Sequence, residues 1–435
     1  MDYIEEWSFV AQAYNGTDGF NNGGEIEQYG RESDTKYEDR QELAKREYEN
    51  IFDSKVSRYV GYLFKSTPLR ETKDALLQGI INDVNRRHES ADVFFSNFAK
   101  NGKARGVNLL LVDSPNEEAL NMKDQIDRRL SPYFTEILPE RVQDYRLDMF
   151  GKFDYVAFSD SVDTSEYGNN EEAIITRYYD KNVWRIYDAN GDIIEEVEHG
   201  LGVCPVLIFS EKGRFEAMGE FSQLAGMSKR IYNLESEQKE MLRGQTFSLL
   251  TVWTEKGSAP DIKVGVDSTL MYSGDHPPAF ISSDAAQVAT YEKKIEAVKQ
   301  SMDRVSYDIS TTKAQESGIS LQIKFEGLNS SLNSYSMRLE NAERFAWDMV
   351  CDKLGISKEA ISIVYNMDFA ITDLNAEIET LDGINSIVDL PLYKAEKLKS
   401  IIKEDLKSLE TETMEAIFEE IDTMAKMTET TGYND

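Results

Sequence analysis

Apolar positions between Asp284 and Leu354 fall into two helix-length stripes separated by a short polar break. In the first, Val288, Tyr291, Ile295, Val298, Met302, Val305 and Ile309 recur at alternating steps of three and four, the seam of a long amphipathic helix. In the second, Leu321, Phe325, Leu328, Leu332, Tyr335, Leu339, Ala342, Ala346 and Met349 keep the same rhythm. The break, Ser310 to Gly318, is polar and ends in glycine. Such helices are about 40 Å long at 1.5 Å per residue. The stretch 247–283 is too small to cover them, so the pattern predicts neighbours, which copies of the same chain in a ring would supply.

Elsewhere the spacing predicts one helix over Tyr37–Phe64, stopped by Pro68, and another over roughly 72–99. Val107–Val112 reads as a buried strand, Pro132–Leu147 as irregular, and 155–159, 173–179, 183–188 and 193–197 as strands of an antiparallel region. Asp188-Ala189-Asn190-Gly191-Asp192 supplies a hairpin turn, because Asn-Gly tolerates positive φ. Val203–Phe209 predicts a further strand, 215–243 a long helix, 247–283 a small β-rich insert, Ile361–Tyr365 a strand, and 391–426 an acidic helical segment. Residues 1–36, acidic and rich in Gly and Asn, read as a flexible arm that gains order, if at all, from a partner, with a short helix over Glu5–Tyr14 as the one element it could carry. The fold class is α+β.

Of 435 residues 40% are apolar, enough for real cores. The net charge of -31 argues against a simple basic nucleic-acid binder or a binder of anionic membranes. That charge is uneven: 284–354 holds eleven acids against nine bases, whereas 371–435 holds sixteen against six. Cys204 and Cys351 sit in apolar surroundings and read as buried thiols of a reducing compartment. Neither a signal peptide nor an apolar run long enough to span a bilayer is read, so a soluble chain assembled in a cytoplasm is expected, with no membrane partner.

Candidate chemistry is sparse. His88, His199 and His276 are scattered, with no metal-ligand spacing. There is no phosphate-cradling glycine loop and no nucleophile elbow. Carboxylate pairs such as Asp160 with Asp163, or Glu195 with Glu196, read as solvated surface in a chain with 79 acids. No enzyme activity, metal or cofactor is expected.

Three segments carry a resemblance. Tyr48-Glu49-Asn50-Ile51-Phe52 with Val60-Gly61-Tyr62-Leu63-Phe64-Lys65-Ser66-Thr67-Pro68 resembles the early helix and proline exit of tailed-bacteriophage portal proteins. Cys204–Phe209 is similar to the strand before that family's stem helix, and Glu316-Ser317-Gly318-Ile319-Ser320-Leu321 to the start of its tunnel-loop helix. The likeness covers about 40–370. It implies a flexible arm (1–36), a wing (37–210), an outgoing stem helix (211–246), a clip (247–283) and a returning stem helix (284–309). A tunnel loop (310–318), a wing-crossing helix and strand (319–370) and a short helical crown (371–435) complete the plan.

The resemblance further implies a virion location at one capsid vertex, and a ring of about twelve copies through which duplex DNA is packaged and ejected. Its partners would be the large terminase subunit, a head-tail adaptor, and the major capsid and scaffolding proteins. Thr312, Lys313, Gln315, Glu316 and Ser317 would face DNA from the tunnel loop. Lys293, Lys294, Lys299 and Arg304 would either line the stem channel or form inter-subunit ion pairs, the pairs being favoured because Glu292, Glu296 and Asp303 alternate with them. Trp253 and His276 would meet partners at the clip. The competing reading is an acidic cytoplasmic coiled-coil scaffold that oligomerises without touching DNA.

Overall fold

The structure is a computed structural model that describes residues 3–115, 128–163, 172–246, 249–251, 279–281, 285–308, 318–369, 391–405 and 411–431. The chain divides into two units, 1–369 and 370–435. The larger unit mixes helices with antiparallel sheets, an α+β fold.

Strand β2 (Val107–Asp113) organises the larger unit. It lies between β3 (Tyr133–Ile137) and β9 (Val206–Ser210) in a three-stranded antiparallel sheet. Side chains alternate along a strand, and here both faces are covered. Val107, Leu109 and Leu111 enter a core shared with the second sheet, while Leu110 and Val112 enter a helical core. That double burial explains the uninterrupted apolar run. The second sheet has the order β4-β5-β6-β7-β8, with β4 Val142–Leu147, β5 Phe153–Asp163, β6 Glu172–Asp180, β7 Val183–Tyr187 and β8 Ile193–Glu198. The expected turn joins β7 to β8, with Gly191 at φ +88° and the Asp188 carboxylate accepting from the Asn190 and Asp192 N–H groups.

Several expectations change. Residues 1–36 do not form a loose arm: the short helix read over Glu5–Tyr14 is present as α1 (Tyr3–Asn15), it buries Trp7, Val10 and Ala13, and the Trp7 indole donates to the Ala217 carbonyl at 3.2 Å. Glycine and asparagine in this region make turns such as α2 (Gly19–Asn22), closed by Gly23 at φ +84°. The predicted helix over 37–64 is two, α3 (Asp34–Ala44) and α4 (Ile51–Leu63), split where Arg46 turns left-handed and Asn50 caps the Asp53 N–H. The one over 72–99 is likewise two, α5 (Ala75–Asn82) and α6 (Ala91–Arg105), separated by left-handed Arg86 and His88. Pro132–Leu147 is not irregular, because β2 and β5 offer edges on which β3 and β4 pair.

Helix α7 (Gln223–Thr246) starts later than residue 215, for a steric reason. Gly106, at φ +84°, ends α6 against the backbone of Gly219, and a Cβ on either glycine would overlap the other's main chain. Ser222 Oγ accepts from the Gly219 N–H and lies 3.0 Å from the Arg105 carbonyl. The chain therefore turns over the end of α6 before it becomes helical. Beyond it follow β10 (Leu249–Thr251) and β11 (Ala279–Ile281), paired with each other, then α8 (Ala285–Val305), α9 (Gly318–Leu354) and β12 (Ile361–Val364), which pairs with β1 (Leu69–Thr72).

The smaller unit holds α10 (Pro391–Asp405) and α11 (Thr411–Thr431), which bury Ala395 against Ile421. The single helical segment expected over 391–426 is thus two helices.

Candidate functional site

Helices α7 and α8 form an antiparallel hairpin, closed at its far end by the β10·β11 ribbon. The expected seam exists: Ile295, Val298 and Met302 of α8 are buried, as are Leu224, Ala225, Ile231 and Tyr232 of α7. The second stripe is buried too, from Leu328 through Tyr335 to Met349. These seams are covered within one chain, so the argument that they require neighbouring copies does not hold.

Helix α8 packs on α7, α9 packs on β9, β2, β12 and α4, and part of the cover over α7 comes from the N-terminal residues. Arg40, 3% exposed, pairs with Glu32, and also donates to the Glu27 carbonyl and, at 3.4 Å, to Ser236 Oγ of α7. Asn233 Nδ2 donates to the Glu25 carbonyl at 2.9 Å, Lys229 pairs with Glu25 at 2.9 Å, and the Tyr232 hydroxyl donates to the Ala44 carbonyl at 2.7 Å.

The root of the hairpin is held by charge. Tyr307 ends α8 in the left-handed region at φ +53°, and the Asp308 N–H returns to the Asp303 carbonyl at 2.9 Å, closing the helix in the manner of a Schellman turn without glycine. Asp308, 2% exposed, accepts Lys55 at 2.6 Å and also Arg58, while Lys55 reaches Asp303 as well. The Tyr307 hydroxyl donates to Glu220 at 2.6 Å. Glu220 lies 3.4 Å from the Lys103 ammonium, which in turn lies 2.9 Å from Glu211. Lys103 is 2% exposed and sits 4.4 Å from the ring centres of both Tyr59 and Phe221 and 5.2 Å from that of Tyr335. Burial opposes its charge, yet Glu211 and Glu220 outweigh burial and hold the ammonium above the usual lysine range. The rings add cation–π attraction in the same direction.

The sequence-derived residues fall as follows. Lys299 pairs with Glu49 of its own chain at 2.7 Å. Arg304 is exposed and donates to Ser301 Oγ at 2.7 Å. Lys294 lies 5.7 Å from the Tyr291 ring centre, and Lys293 is exposed. Thr312, Lys313, Gln315, Glu316 and Ser317, and likewise Trp253 and His276, lie outside the described residues. Asp160 is engaged by Arg141 and Arg177, and Glu196 by Arg185. Among the described residues no group of three or more His, Cys, Asp or Glu is placed to hold a metal ion, and no helix is long and apolar enough to cross a membrane.

No protein-family model matches the chain, and no curated protein matches it. Among solved structures it is similar to a chain described as "Virion of native gene transfer agent (GTA) particle". That chain is 9% identical with a TM-score of 0.44, the match covering 80% of this chain and 89% of that one.

The anchors Lys55, Lys103 and Asp308 were not anticipated. Lys103 carried a faint signal, since it continues the buried face of α6 set by Phe95, Phe98, Ala99 and Gly102. The pairing of Lys55 with Asp308 had none.

Proposed function

We propose that this chain is a portal subunit: a copy in a ring at one capsid vertex, through which duplex DNA is packaged and ejected. The observation that carries the reading is a long helical hairpin tied to the body at its root, closed at its far end by a small β ribbon, and followed by the 37-residue helix α9, whose seam packs into the body. That is the order of stem, clip, returning stem and wing-crossing helix. The reading makes the function mechanical, with no catalytic group.

Electrostatics favour such a channel. Bases that neutralise phosphates release counterions and strengthen grip on DNA. The exposed face of α8 alternates Glu292 and Glu296 with Lys293 and Lys294, so a wall built from it holds DNA weakly and lets it slide. In this reading Thr312, Lys313, Gln315, Glu316 and Ser317 face the DNA, the ribbon end meets terminase and then the head-tail adaptor, and capsid and scaffolding proteins surround the wing.

Mass measurement of the purified full chain, followed by negative-stain imaging, tests the proposal. The expected result is a closed ring of about a dozen copies with a central hole. A dimer or a rod would return the chain to the scaffold reading. In infected cells, replacing Lys313 and Gln315 together is expected to impair packaging or DNA retention, and unchanged levels of both would remove the loop assignment.

A further inference from the structure

A groove of about 370 Å³ opens between the turn that joins β4 to β5, strand β9 and one face of α9. Its floor is apolar: Phe153, Cys204, Val206, Phe209 and Ala342 are all buried. At its mouth stand Val203 and Phe345, 51% and 59% exposed. The volume falls in the range of small-molecule sites, which are largely apolar with a few polar groups that fix orientation.

The charged groups here are nearly all cations. Lys152, Lys181, Arg214 and Arg338 line the groove on a chain of net charge -31. Lys181 pairs with Asp154 at 2.8 Å, and Arg338 donates to the Ser210 carbonyl at 3.3 Å. Lys152 and Arg214 have no carboxylate partner among the described residues, and the Lys152 ammonium lies 5.9 Å from the Phe345 ring centre. Elsewhere the chain matches its inner cations: Arg40, Arg70, Lys103 and Arg105 each face a carboxylate. One acid, Asp148, lines the groove, and its carboxylate is turned to the main chain, accepting the Phe150 and Lys152 N–H groups at 2.8 and 2.9 Å.

Both unmatched cations stand on fixed backbone. Asp148 holds the turn at Lys152. Ser210 Oγ does the same at Arg214: it accepts from the Lys212 and Arg214 N–H groups and donates to the Arg214 carbonyl at 2.7 Å, in a turn where Gly213 sits at φ +69°. A site whose backbone is fixed beforehand loses less freedom on binding.

We propose that the groove binds an amphipathic carboxylate, an aliphatic body that ends in one carboxylate group. The body lies over Val206, Ile208, Ala342 and Phe345, where it removes apolar surface from water. The carboxylate meets Arg214 and Lys152, and such charge-assisted contacts are the stronger kind of hydrogen bond. At physiological ionic strength the field of distant surface acids fades within about 8 Å, so the groove's own charges govern an anion that has reached it. A neutral chain leaves the two cations unmet, and a small inorganic anion leaves the apolar floor bare. The site is independent of the portal reading.

The purified full chain tests it with two ligands that differ in the head group, dodecanoate and dodecanol. Each is titrated against the fluorescent probe dansyl-undecanoate, below micelle-forming concentrations. Dodecanoate is expected to displace the probe saturably and about tenfold or more tightly than the alcohol. Lys152→Ala with Arg214→Ala is expected to weaken dodecanoate by about tenfold or more and to leave the alcohol unchanged. Asn341→Trp, a change at an exposed position on the α9 wall, is expected to weaken both by filling the groove.

Circular dichroism and thermal unfolding check that each variant folds. Absence of saturable probe binding, equal affinity for acid and alcohol, or dodecanoate binding that either variant leaves unaltered would each overturn the site.

Discussion

The Lys55 ammonium lies 2.6 Å from the Asp308 carboxylate, across 253 positions of sequence. Asp308 also accepts Arg58, so one buried carboxylate ties the end of α8 to two turns of α4. Asp308→Ala leaves Lys55, 10% exposed, with only Asp303 and is expected to cost about 2–4 kcal/mol. Thermal unfolding measures the loss, and hydrogen exchange should show it concentrated in the last turns of α8. Uniform exchange along the chain would mean that the root is not a local clamp.

Lys103 presents the same logic in a drier place. Lys103→Met keeps the volume and removes the charge, leaving Glu211, 11% exposed, without its cation. The expected destabilisation is about 3–5 kcal/mol. Lys103→Met with Glu211→Gln is expected to recover much of it, because neither partner is then an unpaired buried charge. A denaturant-based double-mutant cycle measures the coupling, and additive losses would refute it.

Trp7→Ala should be costly, although the residue lies in a segment that reads as a tail. Trp7 is 1% exposed and packs 5.1 Å from Phe215, ring centre to ring centre. The expected loss is about 3–5 kcal/mol in chemical denaturation. Deleting residues 1–36 should expose the apolar surface of α7 and cause aggregation. A soluble, fully stable truncation would contradict this.

The Arg40 pair sets an acid limit. Burial works against ionisation of Glu32, but the Arg40 guanidinium and the Tyr29 N–H outweigh it and hold the carboxyl below its ordinary value. The unfolded chain therefore takes up this proton more readily than the folded one. The stability gained is fully present above the ordinary carboxylate range and is lost as pH falls through the depressed folded value. Urea titrations of wild type and Glu32→Gln should show a gap at neutral pH that narrows in acid. A gap independent of pH would rule the linkage out.

Burial pushes the Cys204 thiol up to about 12. Cys204 is 8% exposed and Cys351 fully buried. Maleimide at pH 8 should leave both thiols intact in the native chain and label both in urea, as mass spectrometry would report.

What the sequence made legible follows from where each signal is stored. Helical seams such as Val298–Met302 and Leu332–Tyr335–Leu339 are local and periodic, and they were read with their boundaries nearly right. Strand β2 was legible because both of its faces are buried. The N-terminal segment was misread because its glycines and asparagines mark turns, and composition alone does not separate a tight turn from a loose tail. Among its apolar residues, Trp7 packs on Phe215 and Phe20 on Tyr232, each about two hundred positions away. Strands β3 and β4 were missed because their pairing depends on the edges offered by β2 and β5. The root anchors lay beyond reach for the same reason, since each joins single residues with no periodic context.

The ties between the first fifty-five residues and the residues from Ala217 to Asp308 also constrain the order of folding. Trp7 waits for Ala217, Arg40 for Ser236, Glu49 for Lys299 and Lys55 for Asp308. A ribosome has made about half of the chain before α1 and α3 meet these partners, and more than two-thirds before α4 does. At about 5–20 residues per second, the amino-terminal helices stay exposed for on the order of ten seconds to a minute. Folding of the body is therefore largely a late event. The fully tied body exists only after nearly all of the larger unit has been made.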